Sequence, residues 1–141
     1  MDPGHRPSVM IVDDDAEMRA LLRDVLARDG FHVREQSSGE GLVPLLERWA
    51  PDAIVLDKEV TGVDGLDLLS YIRRRLPRTP VVFVTAFGGS EVEAEALRLG
   101  ATCYMDKPFR VARLLDVLRA AVDQPTRAAQ GQGWGEDVVG T

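Results

Sequence analysis

Short, unbroken apolar runs alternate along this chain with longer stretches in which apolar residues recur every three or four positions. "VMIV" (9–12) is the first such run, the pattern of a strand covered on both faces. It stops at "DDD". Met18, Leu21, Leu22, Val25 and Leu26 then share one helical face, which Gly30 closes. "FHVRE" alternates as a more exposed strand does. Leu42, Leu45, Leu46 and Trp49 form the next stripe, with Ser38 as candidate N-cap. Pro44 interrupts it, so this helix is expected to start late, with the proline in its first turn.

"AIVL" (53–56) is the next buried strand, and Asp64 caps a helix through Leu68, Leu69, Ile72 and Leu76 that Pro77 stops. "VVFV" (81–84), "SEVEAEALRLG" and "TCYM" (102–105) read as strand, helix and strand. Val111, Leu114, Leu115, Leu118 and Val122 make the last helical stripe. Alternation of this kind implies a parallel sheet with helices on both faces, an α/β fold. Ligands of such folds bind at the carboxyl ends of the strands, beside the point where strand order reverses. Whatever follows the four apolar runs therefore converges on one crevice.

At 141 residues the chain is expected to hold one domain. A net charge of −6 argues against direct nucleic-acid or anionic-membrane binding, because both need a basic patch. Cys103 is the lone cysteine, which excludes an internal disulfide and fits a reducing compartment. No apolar run reaches membrane-span length and "MDPGHRPS" lacks a signal-peptide core, so the expected location is cytoplasmic. Residues 1–6 are read as a disordered N-terminus and 7–123 as the folded domain. Residues 124–141, rich in glycine and without periodicity, are read as a flexible tail or linker.

The strand-end residues are Asp13, Asp14 and Asp15, then Asp57, then Thr85 with Ala86, then Lys107 before Pro108. Carboxylates gathered at one edge repel, and a hard divalent cation such as Mg²⁺ relieves the repulsion. A metal beside an ammonium and a hydroxyl is also what a transferring phosphoryl group requires. Asp57 is then the candidate nucleophile, since carboxylates form aspartyl phosphates.

"VMIVDDDAEMR", "PDAIVLDKEVTGVDGLDLL", "VVFVTA" and "GATCYMDKPF" together resemble the response-regulator receiver domain of two-component signalling, over about residues 7 to 123. The resemblance implies a doubly wound (βα)5, flavodoxin-like three-layer sandwich with a parallel sheet of order 2-1-3-4-5. It implies that Asp57 accepts a phosphoryl group from a sensor histidine kinase or phosphotransfer protein, by self-catalysed transfer followed by autodephosphorylation. Asp13, Asp14, Asp57 and the backbone carbonyl of Glu59 are implied as the Mg²⁺ site. Lys107 and Thr85 are implied as phosphoryl-binding groups, Thr85 and Tyr104 as the switch, and a cis bond at Lys107–Pro108. The switch would alter the face of the fourth helix, fifth strand and fifth helix, a possible homodimer surface.

The chain departs from the family after the acceptor, where Val60, Thr61 and Gly62 replace the usual Met-Pro-Gly. Glu59 and Phe87 occupy positions that tune phosphoryl lifetime in the family. Phe87 is expected to exclude water; Glu59 either positions water or reaches the metal. Two other readings stay open: an Mg²⁺-dependent phosphohydrolase working through an aspartyl phosphate, with Glu59 as acid/base, and a phosphorylation-independent interaction module. Asp15 reads as a helix cap, Cys103 as a small buried residue, His5 and His32 as solvated, and Trp134 as a tail residue. Whether the chain stands alone or is cut from a longer regulator stays open too.

Overall fold

The computed structural model describes residues 6–123. The expectations for residues 1–5 and 124–141, His5 and Trp134 included, lie outside them. Strands and helices alternate as β1 (Ser8–Val12), α1 (Ala16–Arg28), β2 (His32–Gln36), α2 (Gly39–Leu46) and β3 (Ala53–Asp57). They continue as α3 (Gly65–Arg75), β4 (Val81–Thr85), α4 (Ser90–Arg98), β5 (Cys103–Asp106) and α5 (Val111–Val122). All neighbouring strands are parallel, in the order β2-β1-β3-β4-β5, the flavodoxin-like order expected. Because β1 pairs with β2 on one side and β3 on the other, strand order reverses there. The crevice at their carboxyl ends is where Asp13 and Asp57 lie.

The unbroken apolar runs are explained by burial on both faces. Met10, Val12, Ile54, Leu56, Val81 and Phe83 pack with Leu42, Leu68 and Ala96 of α2, α3 and α4. Their neighbours Val9, Ile11, Ala53, Val55, Val82 and Val84 pack with Leu22 and Leu26 of α1 and Leu114 and Leu118 of α5. Each fully buried leucine contributes about 1.5–3 kcal/mol, so the strand ends rest on a stiff platform.

Asp15 caps α1, accepting from the Glu17 and Met18 amides, and Asp64 caps α3 through the Leu66 amide. Helix α2 differs from expectation. It starts directly after Ser38, whose hydroxyl accepts from the Gly41 amide, and Pro44 lies inside it. The proline removes one N–H near the end of a helix only 8 residues long, and burial of Leu42 and Leu46 outweighs that single lost bond. Trp49 falls beyond the helix, where Arg34 stacks 4.6 Å from its ring centroid. Arg6, counted with the disordered N-terminus, donates to the Phe31 carbonyl at 3.4 Å. Among the described residues no helix is long and apolar enough to cross a membrane.

Candidate functional site

Asp57 is the last residue of β3, held in the ladder opposite Val84 and only 2 % exposed. Asp13 follows β1, its amide tied to the Gln36 carbonyl at 3.1 Å and its Oδ1 accepting from the Asp15 amide at 2.9 Å. It too is buried, whereas Asp14 is exposed. Carboxylate oxygens of Asp13, Asp14 and Asp57 lie within 4.8 Å of one another. Lys107 reaches over from the end of β5, its Nζ 3.2 Å from Asp13 Oδ2 and 3.3 Å from Asp57 Oδ1. The following Lys107–Pro108 bond is cis.

One ammonium among three carboxylates leaves the cluster short of positive charge. Burial, and then the charge of Asp13, push the Asp57 carboxyl up to about 6, Lys107 offsetting only part of this. Burial pulls the Lys107 ammonium down, but Asp57 and Asp13 together raise it above its ordinary value. Asp57 Oδ1 is buried and accepts no hydrogen bond, the ion pair with Lys107 being its polar contact. A buried carboxylate oxygen without a hydrogen bond, beside two more hard oxygen donors, fits a divalent cation that keeps part of its water shell.

Glu59 stands two residues beyond Asp57. Its carboxylate turns to the end of β4, where the Thr85 hydroxyl donates to Oε2 and the Ala86 amide donates to Oε1 at 3.0 Å. Partial burial pushes the Glu59 carboxyl up, but the bonds from Thr85 and Ala86, with smaller contributions from Asp57 and Lys58, outweigh it and hold Glu59 below the usual carboxylate range. Thr85 is fully buried, and its oxygen also accepts from the Phe87 amide at 3.0 Å. The Phe87 ring itself is 74 % exposed.

Tyr104 stacks on Phe83 with centroids 6.5 Å apart. Its hydroxyl donates to Asp106 Oδ1 at 2.8 Å and accepts from the Gly89 amide at 3.2 Å. Room for that hydroxyl depends on Gly88: a Cβ there would lie 1.7 Å from it. The ring is thus already tied to the loop that begins α4, and burial, then the bond to Asp106, push its phenol above the ordinary range.

Two participants escaped sequence reasoning. Thr61, at the position where a proline was expected, donates its hydroxyl to Asp14 Oδ2 at 2.7 Å. Its backbone bridges to Ser38, and its carbonyl accepts from the Gly39 amide at 3.0 Å. A hydroxyl four residues beyond Asp57 was a legible hint. The Ala86 amide had no side-chain signal at all.

Comparison with known proteins agrees with this fold. The response regulator receiver domain family matches residues 9–119. The response regulator protein FleR of Pseudomonas aeruginosa is 39 % identical over 117 residues, covering 82 % of this chain and 25 % of that protein. PilR of the same organism is 33 % identical, over 83 % of this chain and 26 % of that protein. This chain therefore spans about a quarter of the length of those relatives. The crystal structure of the receiver domain of NtrX from Brucella abortus superposes with a TM-score of 0.76 at 31 % identity, covering 82 % of this chain and 98 % of that one.

Proposed function

The chain belongs to the response-regulator receiver-domain family, whose general function is phosphorylation by a sensor kinase, and on that premise we propose that Asp57 is its phospho-acceptor. Receiver domains interact with histidine kinases or phosphotransfer proteins and typically use Mg²⁺. The observation carrying the residue assignment is that Asp57 ends a rigid strand with Lys107 at 3.3 Å and the carboxylates of Asp13 and Asp14 beside it.

In the proposed step an Asp57 carboxylate oxygen forms a bond to phosphorus as the P–N bond of a phosphohistidine breaks, the electron pair returning to the imidazole nitrogen. Lys107 and the Thr85 hydroxyl bind the phosphoryl oxygens and offset their charge. Asp13, Asp14, Asp57 and the Glu59 carbonyl would hold Mg²⁺, which when bound neutralises phosphoryl oxygens and carboxylates alike. Burial favours a neutral Asp57, so the neighbouring cations keep it ionised for attack.

The output we propose runs through Thr85 and Tyr104 to the α4-β5-α5 face, a homodimer or partner surface. Its charges include Glu91 and Arg113, with Arg98 paired to Glu95 and Arg119 to Asp29 within the chain. The folded unit is residues 7–123, acting in the cytoplasm without contacting nucleic acid itself.

Incubation with acetyl phosphate and Mg²⁺ tests this. A stoichiometric, hydroxylamine-labile adduct, absent in Asp57→Asn, supports the reading; sustained turnover of varied phosphate esters would replace it with a phosphohydrolase.

A further inference from the structure

Glu59 occupies the donors that a phosphoryl group on Asp57 would need. The Thr85 hydroxyl and the Ala86 amide both point at its carboxylate, one to each oxygen. Glu59 follows the acceptor by two residues, and Thr85 follows Val84, the β4 residue paired with Asp57. A carboxylate and one edge of a phosphoryl group present similar chemistry: two neighbouring anionic oxygens, able to take one O–H and one N–H at once.

We propose that the Glu59 side chain is a built-in competitor for the phosphoryl site, a resident anion that must leave before Thr85 and Ala86 can bind the phosphoryl oxygens. This deepens the proposed function and rests on Asp57 being the acceptor. Two consequences follow from the geometry. Thr85 is already drawn toward the crevice by Glu59, since its hydroxyl donates there. Phosphorylation then exchanges one anion for another at these donors, so the energy it delivers to the switch is reduced by what displacing Glu59 costs.

The charge of Glu59 and its hydrogen bonds are separable. Glu59→Ala removes both. Glu59→Asp keeps the charge but, one methylene shorter, no longer reaches from the β3 end to both donors. The experiment titrates wild type and both variants, each with saturating Mg²⁺, with beryllofluoride as the phosphoryl mimic. Binding is followed by amide NMR, with the Ala86 amide read separately in the anion-free proteins.

The competitor predicts that both variants bind beryllofluoride at least tenfold tighter than wild type, about the scale of one charge-assisted bond no longer displaced. It also predicts that the Ala86 amide exchanges with solvent faster in both variants. If Glu59→Asp binds like wild type and only Glu59→Ala gains, charge repulsion alone is at work and the competitor is overturned. Unchanged or weaker binding in both overturns it as well. If wild type and variants all fail to bind beryllofluoride, it is the acceptor-site reading of Asp57 that falls, and the competitor with it.

Discussion

Thr61 Oγ1 lies 2.7 Å from Asp14 Oδ2, so the exposed carboxylate of the acidic pair is oriented by a side chain from the loop after Asp57. Groups that orient a metal ligand shift affinity by restricting its rotamers. Thr61→Val should weaken Mg²⁺ binding by about three- to tenfold, with Thr61→Ser retaining it, whereas Asp14→Ala removes most of the binding. Calorimetric titration decides; Thr61→Val binding as tightly as wild type would show that the hydroxyl only decorates the site.

The raised carboxyl of Asp57 makes stability depend on pH. Its folded value of about 6 lies above the ordinary 3.8, so the folded protein holds the extra proton in between. Stability from this group is fully present below pH 3.8 and is lost as pH rises through about 6. Without metal, Asp57→Asn should therefore be more stable than wild type at pH 7.5, by about 1–3 kcal/mol, with the gain vanishing near pH 4. Urea unfolding at both pH values in EDTA measures it. An equal difference at the two would mean that Asp57 is not strained by its surroundings.

Lys107 is the ammonium facing both Asp13 and Asp57. Lys107→Met should lower metal-free stability at pH 7 by about 1–3 kcal/mol, because two buried carboxylates lose their counter-ion. Saturating Mg²⁺ should recover much of that loss. Thermal denaturation with and without the ion checks it, and a loss untouched by Mg²⁺ would point to packing instead.

Gly88→Ala should expel the Tyr104 hydroxyl from its place against the loop, since the new Cβ would stand 1.7 Å from it. The bonds to Asp106 and the Gly89 amide go with it, a loss of about 1–2 kcal/mol. In the Tyr104→Phe background the same substitution should cost much less, a coupling read by a double-mutant cycle. Additive effects would mean that the new Cβ is resisted by Asp106 Oδ1 and Thr85 Cγ2, 2.8 and 2.9 Å from it, rather than by the hydroxyl.

Phe87 carries the lifetime expectation. Its ring is 74 % exposed in the unphosphorylated protein, so shielding requires it to fold over the acyl phosphate. If it does, Phe87→Ala shortens phosphoryl lifetime severalfold in a hydroxylamine-labile decay assay. An unchanged decay assigns the ring to the surface.

The alternation of strands and helices was legible because four apolar runs, one alternating strand and five helical stripes carry distinct patterns, whereas the order 2-1-3-4-5 came from the family resemblance. Asp13, Asp57 and Thr85 were legible because each follows a run directly, and Lys107 because it stands two residues past one, before Pro108. The pose of Glu59 was not: its side chain chooses between metal, water and the β4 loop by hydrogen-bond geometry that no spacing encodes. Pro44 misled because burial of Leu42 and Leu46 outweighs one missing N–H.

Gly65 comes so close to Lys58 that a Cβ would lie 2.4 Å from its Cα, and its amide donates to the Lys58 carbonyl at 3.1 Å. The seven residues from 58 to 64 are thereby cinched at the neck, like a purse whose drawstring sits next to Asp57. Residues inside the purse can change without pulling on Asp57, the proposed acceptor, which leaves room for Thr61 where the family usually has a proline.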